Sequence, residues 1–162
     1  MSAAVSVHPI PDVALVRELF GMLFDGLMVK LGPKLDTSPK SNGFFGVYVA
    51  RDGTPAGLCG CDFAFAANSG AALSMLPPNI AKEAIKDKAL TDVMTANLNE
   101  VMNICTRLLL NDASPHVKLR EICTVSKLPA AAAAILSAPK ARGDFEVGLG
   151  KYGSGILCVL CL

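Results

Sequence analysis

"FFGVYVARDGTPAGLCGCDF", residues 44–63, decides the fold. Phe45, Val47 and Val49 alternate with Phe44, Gly46, Tyr48 and Ala50, which is the period of a strand rather than of a helix. Asp52-Gly53 supplies a tight turn. The returning arm, residues 56–63, is made of small residues, and Gly57 and Gly60 predict that another group comes close to its backbone. A hairpin is a local antiparallel pairing, so the sheet it seeds is antiparallel.

The rest of the chain extends that sheet and covers it. A second hairpin is read in "DFEVGLG" (144–150) and "ILCVLCL" (156–162), joined by "KYGSG", with a lone strand at 116–124. Helices are predicted at 12–31, 65–76, roughly 79–86, about 89–110 and 129–138. The first has Asp12 as N-cap after Pro11 and Val16, Leu19, Phe20, Leu23, Leu27 and Leu31 at helical spacing, and Gly32-Pro33 ends it. Pro77-Pro78 stops the second, and the alanine-rich "LPAAAAAILSAP" reads as a packed helix rather than a linker. The sum is an α+β fold, an antiparallel-rich sheet of two hairpins and one strand with long helices packed on it.

Bulk properties bound the function. The chain has 162 residues, 52% of them hydrophobic and 18% charged, so residues 1–162 are expected to form one domain with a sizeable core. The net charge is +1 with no basic block, which gives nucleic acid no footprint. No run of 18 apolar residues exists, and "MSAAVSVHPIPDVALVR" lacks the layout of a signal peptide, so a cytoplasmic location is expected. Cys59, Cys61, Cys105, Cys123, Cys158 and Cys161 lie in apolar surroundings, as reduced core cysteines do. A four-thiolate zinc site from Cys59-x-Cys61 and Cys158-x-x-Cys161 fits poorly, because positions 158 and 161 of one strand face opposite ways. "GLGKYG", residues 148–153, matches Gly-x-Gly-x-x-Gly, yet a strand follows it where a dinucleotide site needs a helix. His8 and His116 stand beside prolines without acid or cysteine at triad or ligand spacing, and read as solvated.

Chemistry concentrates in "TANLNEVMN", residues 95–103. At 100° per residue Met94, Leu98, Val101, Cys105 and Leu108 share one side of the helix. Ala96, Glu100, Asn103 and Arg107 form a stripe nearly opposite, spaced four, three and four, with Asn97 and Asn99 at its borders. Two readings fit these residues. One is an ordinary wet face, and the other is a docking face that offers a carboxylate, a carboxamide and a guanidinium in line.

From about Gly43 to Leu162 the order of elements resembles the CheC/CheX/FliY family of chemotaxis phosphatases. The resemblance rests on the glycine-containing hairpin, the short helix "SGAALSML", the helix with Glu-x-x-Asn as "EVMN", a strand ending in Leu-Pro as "TVSKLP" with Pro129, and the closing hairpin with its glycine turn. It implies a cytoplasmic phosphatase acting on the phospho-aspartate of a CheY-like response regulator. Asn103 would position the attacking water, and Glu100 would dock onto the regulator's lysine. No cofactor is implied for this chain, since Mg²⁺ would be held by the regulator. Ala96, Asn97, Asn99 and Arg107 would contact the partner. The family's Asp or Ser four residues before the Glu is Ala96 here, and its Pro about 23 positions past the Asn is Pro129, 26 past Asn103. In the first helix Glu18 is followed by Gly21 where an Asn would be needed, so one site per chain is implied, as in the CheX type.

Two alternatives stand beside the phosphatase. The first is a non-catalytic binding or scaffold module of chemotaxis or flagellar signalling, which Ala96 favours. The second is an unrelated small-molecule activity, for which a pocket lined by Cys59, Cys61 and Cys158 would speak. The uncharged "ILCVLCL" is a hazardous edge if bare, so it is expected either at the sheet centre or paired with a second subunit, and a homodimer is the expected assembly.

Overall fold

The computed structural model of the chain describes residues 10–109 and 116–161. The readings of His8 and of positions 110 and 162 lie outside them. In chain order the elements are α1 (Val13–Gly21), β1 (Leu27–Leu31), β2 (Phe44–Val49), β3 (Pro55–Cys61), α2 (Phe63–Leu73), α3 (Pro78–Asp87), α4 (Asp92–Ile104), β4 (Lys118–Cys123), α5 (Ala130–Ser137), β5 (Ala141–Leu149) and β6 (Ser154–Cys161). All strand pairings are antiparallel, in a six-stranded sheet of order β1-β5-β6-β3-β2-β4. This is the α+β architecture read from the sequence.

The hairpins are made as their turns dictate. Asp52 accepts from the Thr54 N–H, and Gly53 has φ +85°. In the "GLGKYG" stretch Gly150 and Gly153 both have positive φ, closing the β5–β6 hairpin through a 3₁₀ turn at Gly150–Tyr152. That stretch is a hairpin turn and opens no helix. The closing strand β6 lies between β5 and β3, so it presents no free edge from which to argue a dimer.

Central strands are buried on both faces. Tyr48, Cys59, Cys61, Phe145, Val147, Leu157, Val159 and Cys161 point to the side covered by α1, α2 and α4. Phe45, Val47, Leu58, Cys158 and Leu160 point to the side covered by α5. Burial on both sides is why "FFGVYV" and "ILCVLCL" run almost without polar residues. Cys158 and Cys161 do face opposite ways.

Three expectations need correction. The helix predicted at 12–31 ends at Gly21. Asp12 does cap it, accepting from the Leu15 N–H at 2.8 Å. Gly26, at φ +67°, then turns the chain into β1, which pairs with β5 as a sixth strand. Leu23, Leu27 and Leu31 continued the helical spacing by coincidence, and Leu31 is 73% exposed. β5 offers an unpaired row of backbone groups, and five strand residues satisfy it where more helix could not. Second, the helix predicted to residue 110 leaves α-geometry at Cys105 and finishes as a 3₁₀ segment, Cys105–Leu109. Third, "TVSKLP" is not the end of a strand. β4 stops at Cys123, a 3₁₀ turn spans Val125–Lys127, and Pro129 caps α5.

The segment after β1 is tied down by one polar clamp. Arg142 and Asp144 pair at 3.0 Å, with side chains about one-seventh exposed. The Leu35 N–H donates to Asp144 Oδ2 at 2.8 Å, and the Leu35 carbonyl accepts from Arg142 at 3.0 Å. Burial opposes charge on Asp144, but the bonds from Arg142 and the Leu35 N–H, with the guanidinium charge, hold its carboxyl below the usual carboxylate range. A carboxyl that ionises more readily folded than unfolded adds stability above about pH 4, and that contribution is lost as pH falls through the folded value. Asp144→Asn is therefore expected to cost about 2 kcal/mol at neutral pH. The difference in urea midpoint between wild type and variant should shrink on acidification; a pH-independent difference refutes the assignment.

Candidate functional site

α4 is seated by α2, a helix of small residues. Ala66, Ala67, Ser69, Gly70 and Ala71 are all buried, and their size lets backbones approach closely on two sides. A side chain at Gly155 of β6 would collide with the Phe65 backbone, and one at Gly70 would meet the Met94 backbone of α4 at 3.0 Å. The Asp62 carboxylate caps α2 by accepting from the Phe65 N–H at 2.8 Å, and also takes the Ile156 N–H of β6 at 3.1 Å.

α4 itself begins at the N-cap Thr91, whose Oγ1 accepts from the Met94 N–H, with Asp92 in the first turn. Met94, Leu98, Val101, Met102, Cys105 and Leu108 are at most 2% exposed, which locks the rotation of the helix. Two further bonds fix its position. Asn97 Nδ2 donates to the Gly70 carbonyl at 2.8 Å and to Ser74 Oγ at 2.7 Å. The Tyr48 hydroxyl, from β2, donates to the Met102 carbonyl in the last turn, one of the groups a helix leaves unpaired. Burial, with the neighbouring Cys59 and Cys105, pushes the phenol well above its ordinary value, so the hydroxyl keeps its proton and stays a donor.

With that side held, Ala96, Asn99, Glu100 and Asn103 face outward and are exposed. Among the described residues the side chains of Glu100 and Asn103 have no hydrogen-bond or ion-pair partner. The structure thus brings an unengaged carboxylate and an unengaged carboxamide onto one turn of a rigid helix. A carboxamide presents an acceptor oxygen and two donor hydrogens side by side, enough to hold and orient one water.

The other residues of the predicted stripe differ. Asn97 is half-buried and spends its amide on α2, so it is a strut of the helix pair. Arg107 is exposed but sits in the 3₁₀ segment, where the stripe turns toward α1. It borders a small cleft with Leu15, Glu18 and Met22 and makes no ion pair with Glu100 among the described residues. Sequence reasoning passed over Tyr48 and Gly70. The signal for Tyr48 was legible, since a tyrosine in a strand buried on both faces must find a partner for its hydroxyl. Gly70 gave none, because its contact is with a helix distant in sequence.

The sheet cysteines divide between its two faces. Cys59 and Cys61 are fully buried on one face of the sheet and Cys158 on the other; burial raises the thiols of Cys61 and Cys158, and a hydrogen bond with Cys59, reinforced by burial, raises that of Cys105. Among the described residues no group of three or more His, Cys, Asp or Glu is placed to hold a metal ion. No helix among them is long and apolar enough to cross a membrane.

The fold has counterparts among solved structures. A chain of the FliM–SpeE complex from H. pylori matches with TM-score 0.55 at 10% identity, over 92% of this chain and 78% of that one. The FliM middle domain from H. pylori matches at 0.51 and 8% identity, over 92% and 82%. A chain of the CheX–CheY–BeF3–Mg2+ complex from Borrelia burgdorferi matches at 0.51 and 12% identity, over 91% and 90%. At these identities the likeness is one of fold, and it is the fold that the sequence resemblance implied. No protein-family model matches the sequence, and no curated protein matches it.

The division between strut and free face is measurable. Asn97→Ala is expected to destabilise the chain by about 1–2 kcal/mol, as removal of two bonds at a half-buried site does. Glu100→Ala and Asn103→Ala should stay within about 0.5 kcal/mol of wild type. Urea unfolding checks both, and a large loss for Asn103→Ala would show the amide to be structural.

Proposed function

We propose that the chain accelerates loss of phosphate from the phospho-aspartate of a CheY-like response regulator, with Asn103 and Glu100 of α4 as the working residues. One observation carries the reading. The exposed Glu-x-x-Asn pair has no partner within the described chain, on a helix clamped along its opposite side. Likeness of fold to a chain crystallised in a CheX–CheY complex supports the choice of partner.

The chemistry asks little of the phosphatase. An acyl phosphate is already activated, and the regulator would bring Mg²⁺ and a lysine to its own phosphoryl group. What is lacking is a water held in line with phosphorus and oxygen. The Asn103 carboxamide would accept from that water through Oδ1 and steady the phosphoryl oxygens through Nδ2. Glu100, one turn before it, would pair with the regulator's lysine and set the distance of approach. Positioning of this kind is enough for a large rate effect, since misplacement by about 1 Å can cost about 100-fold.

A second reading is favoured by two observations, the alanine at position 96 and the likeness to the FliM middle domain. On that reading the same α4 face binds a regulator without hydrolysing its phosphate. The two separate in one experiment, which follows decay of a phosphorylated CheY-like protein and its binding to the chain together. The phosphatase reading expects faster decay, lost by about 100-fold with Asn103→Ala while binding persists. Glu100→Ala should raise the regulator concentration for half-maximal effect about tenfold. Binding with unchanged decay means a scaffold.

A further inference from the structure

A second concave site lies apart from α4. A cavity of about 500 Å³ opens between the loop joining β1 to β2, the start of α2 and the end of α3. That volume falls within the range of small-molecule sites, about 300–1,000 Å³. Lys34 and Lys40 from the loop and Lys88 from the α3 C-cap line it. None of the three has an ion-pair partner among the described residues, although the chain as a whole is nearly neutral. Two carboxylates share the lining and are partly spent. Asp36 Oδ1 accepts from the Ser38 N–H, and Asp62 Oδ1 accepts from Phe65 and Ile156. Asp62 Oδ2 has no partner among the described residues. The Ser41 hydroxyl, in the same wall, is buried with no hydrogen-bond partner.

Lys88 adds an independent observation. It holds a left-handed conformation, φ +53° and ψ +41°, at the end of α3. Glycine or asparagine takes that position at least cost, and a long side chain there costs on the order of 1 kcal/mol. From that conformation Lys88 lines the cavity beside Lys34 and Lys40.

We infer that this cavity binds a small phosphorylated molecule bearing hydroxyl groups, of the sugar-phosphate or nucleotide class. The three lysines receive the phosphate as point charges, and the free Asp62 oxygen accepts from a hydroxyl of the ligand body. Cavity size argues for a body beyond the phosphate itself, because inorganic phosphate fills only part of the space.

Isothermal titration at fixed ionic strength tests this, with inorganic phosphate, glucose 6-phosphate and ADP as probes and citrate as the non-phosphate control. Saturable one-to-one binding of glucose 6-phosphate or ADP, tighter than inorganic phosphate and citrate, is expected, and which of the two binds better identifies the body. Lys40→Gln should weaken it about tenfold. Lys88→Gly is the more telling variant, since it should weaken binding about tenfold while raising the thermal midpoint. The inference is overturned if no phosphorylated probe saturates up to about 10 mM, or if the Lys34→Gln, Lys40→Gln and Lys88→Gly triple variant binds as the wild type does.

Discussion

The structure depends on how closely one small helix can be pressed against its neighbours. α2 meets β6 where Gly155 leaves room for the Phe65 backbone, and meets α4 where Gly70 leaves room for Met94. A larger residue at either point would push backbones apart, and an overpacked core yields by shifting its elements. The height of α4 above the sheet follows from these two absences of a side chain. So does its rotation, because Met94, Leu98, Val101 and Met102 find their places only at that separation. Whatever Glu100 and Asn103 present to the outside is set from below by residues that carry no chemistry.

The sequence was legible wherever local rules decide structure. Alternation in "FFGVYV", the Asp52-Gly53 turn and the glycine turn before β6 located four of the six strands, and Pro77-Pro78 separated α2 from α3. The α4 face pattern followed from helical period alone: Met94, Leu98 and Val101 are buried as the period assigned, and Met102 is buried beside them. Failure came where a long-range partner overrode a local pattern. β1 reads as helix because Leu23, Leu27 and Leu31 keep the right spacing, and only the unpaired backbone of β5, more than 100 residues away, makes it a strand. Arg107 was placed by extrapolating α-geometry past Cys105, where the helix tightens.

The candidate site was legible in a different sense. Glu100 and Asn103 could be placed on a face by arithmetic, but no spacing distinguishes a free amide from an engaged one. Asn97 and Asn103 are the same residue type on one helix, and the structure gives them opposite fates. One is consumed in joining α4 to α2, and the other is left available. Tertiary hydrogen bonding makes that distinction.

The Tyr48 phenol binds the main chain at Met102, one residue before Asn103. The backbone carrying the amide is thereby tethered to the middle of the sheet rather than only to its own helix. Freedom of that last turn is surrendered once, when the protein folds. Should α4 dock as proposed, an amide on so firmly held a backbone would meet its partner as a tooth of set position, favouring surfaces that already have the matching depth.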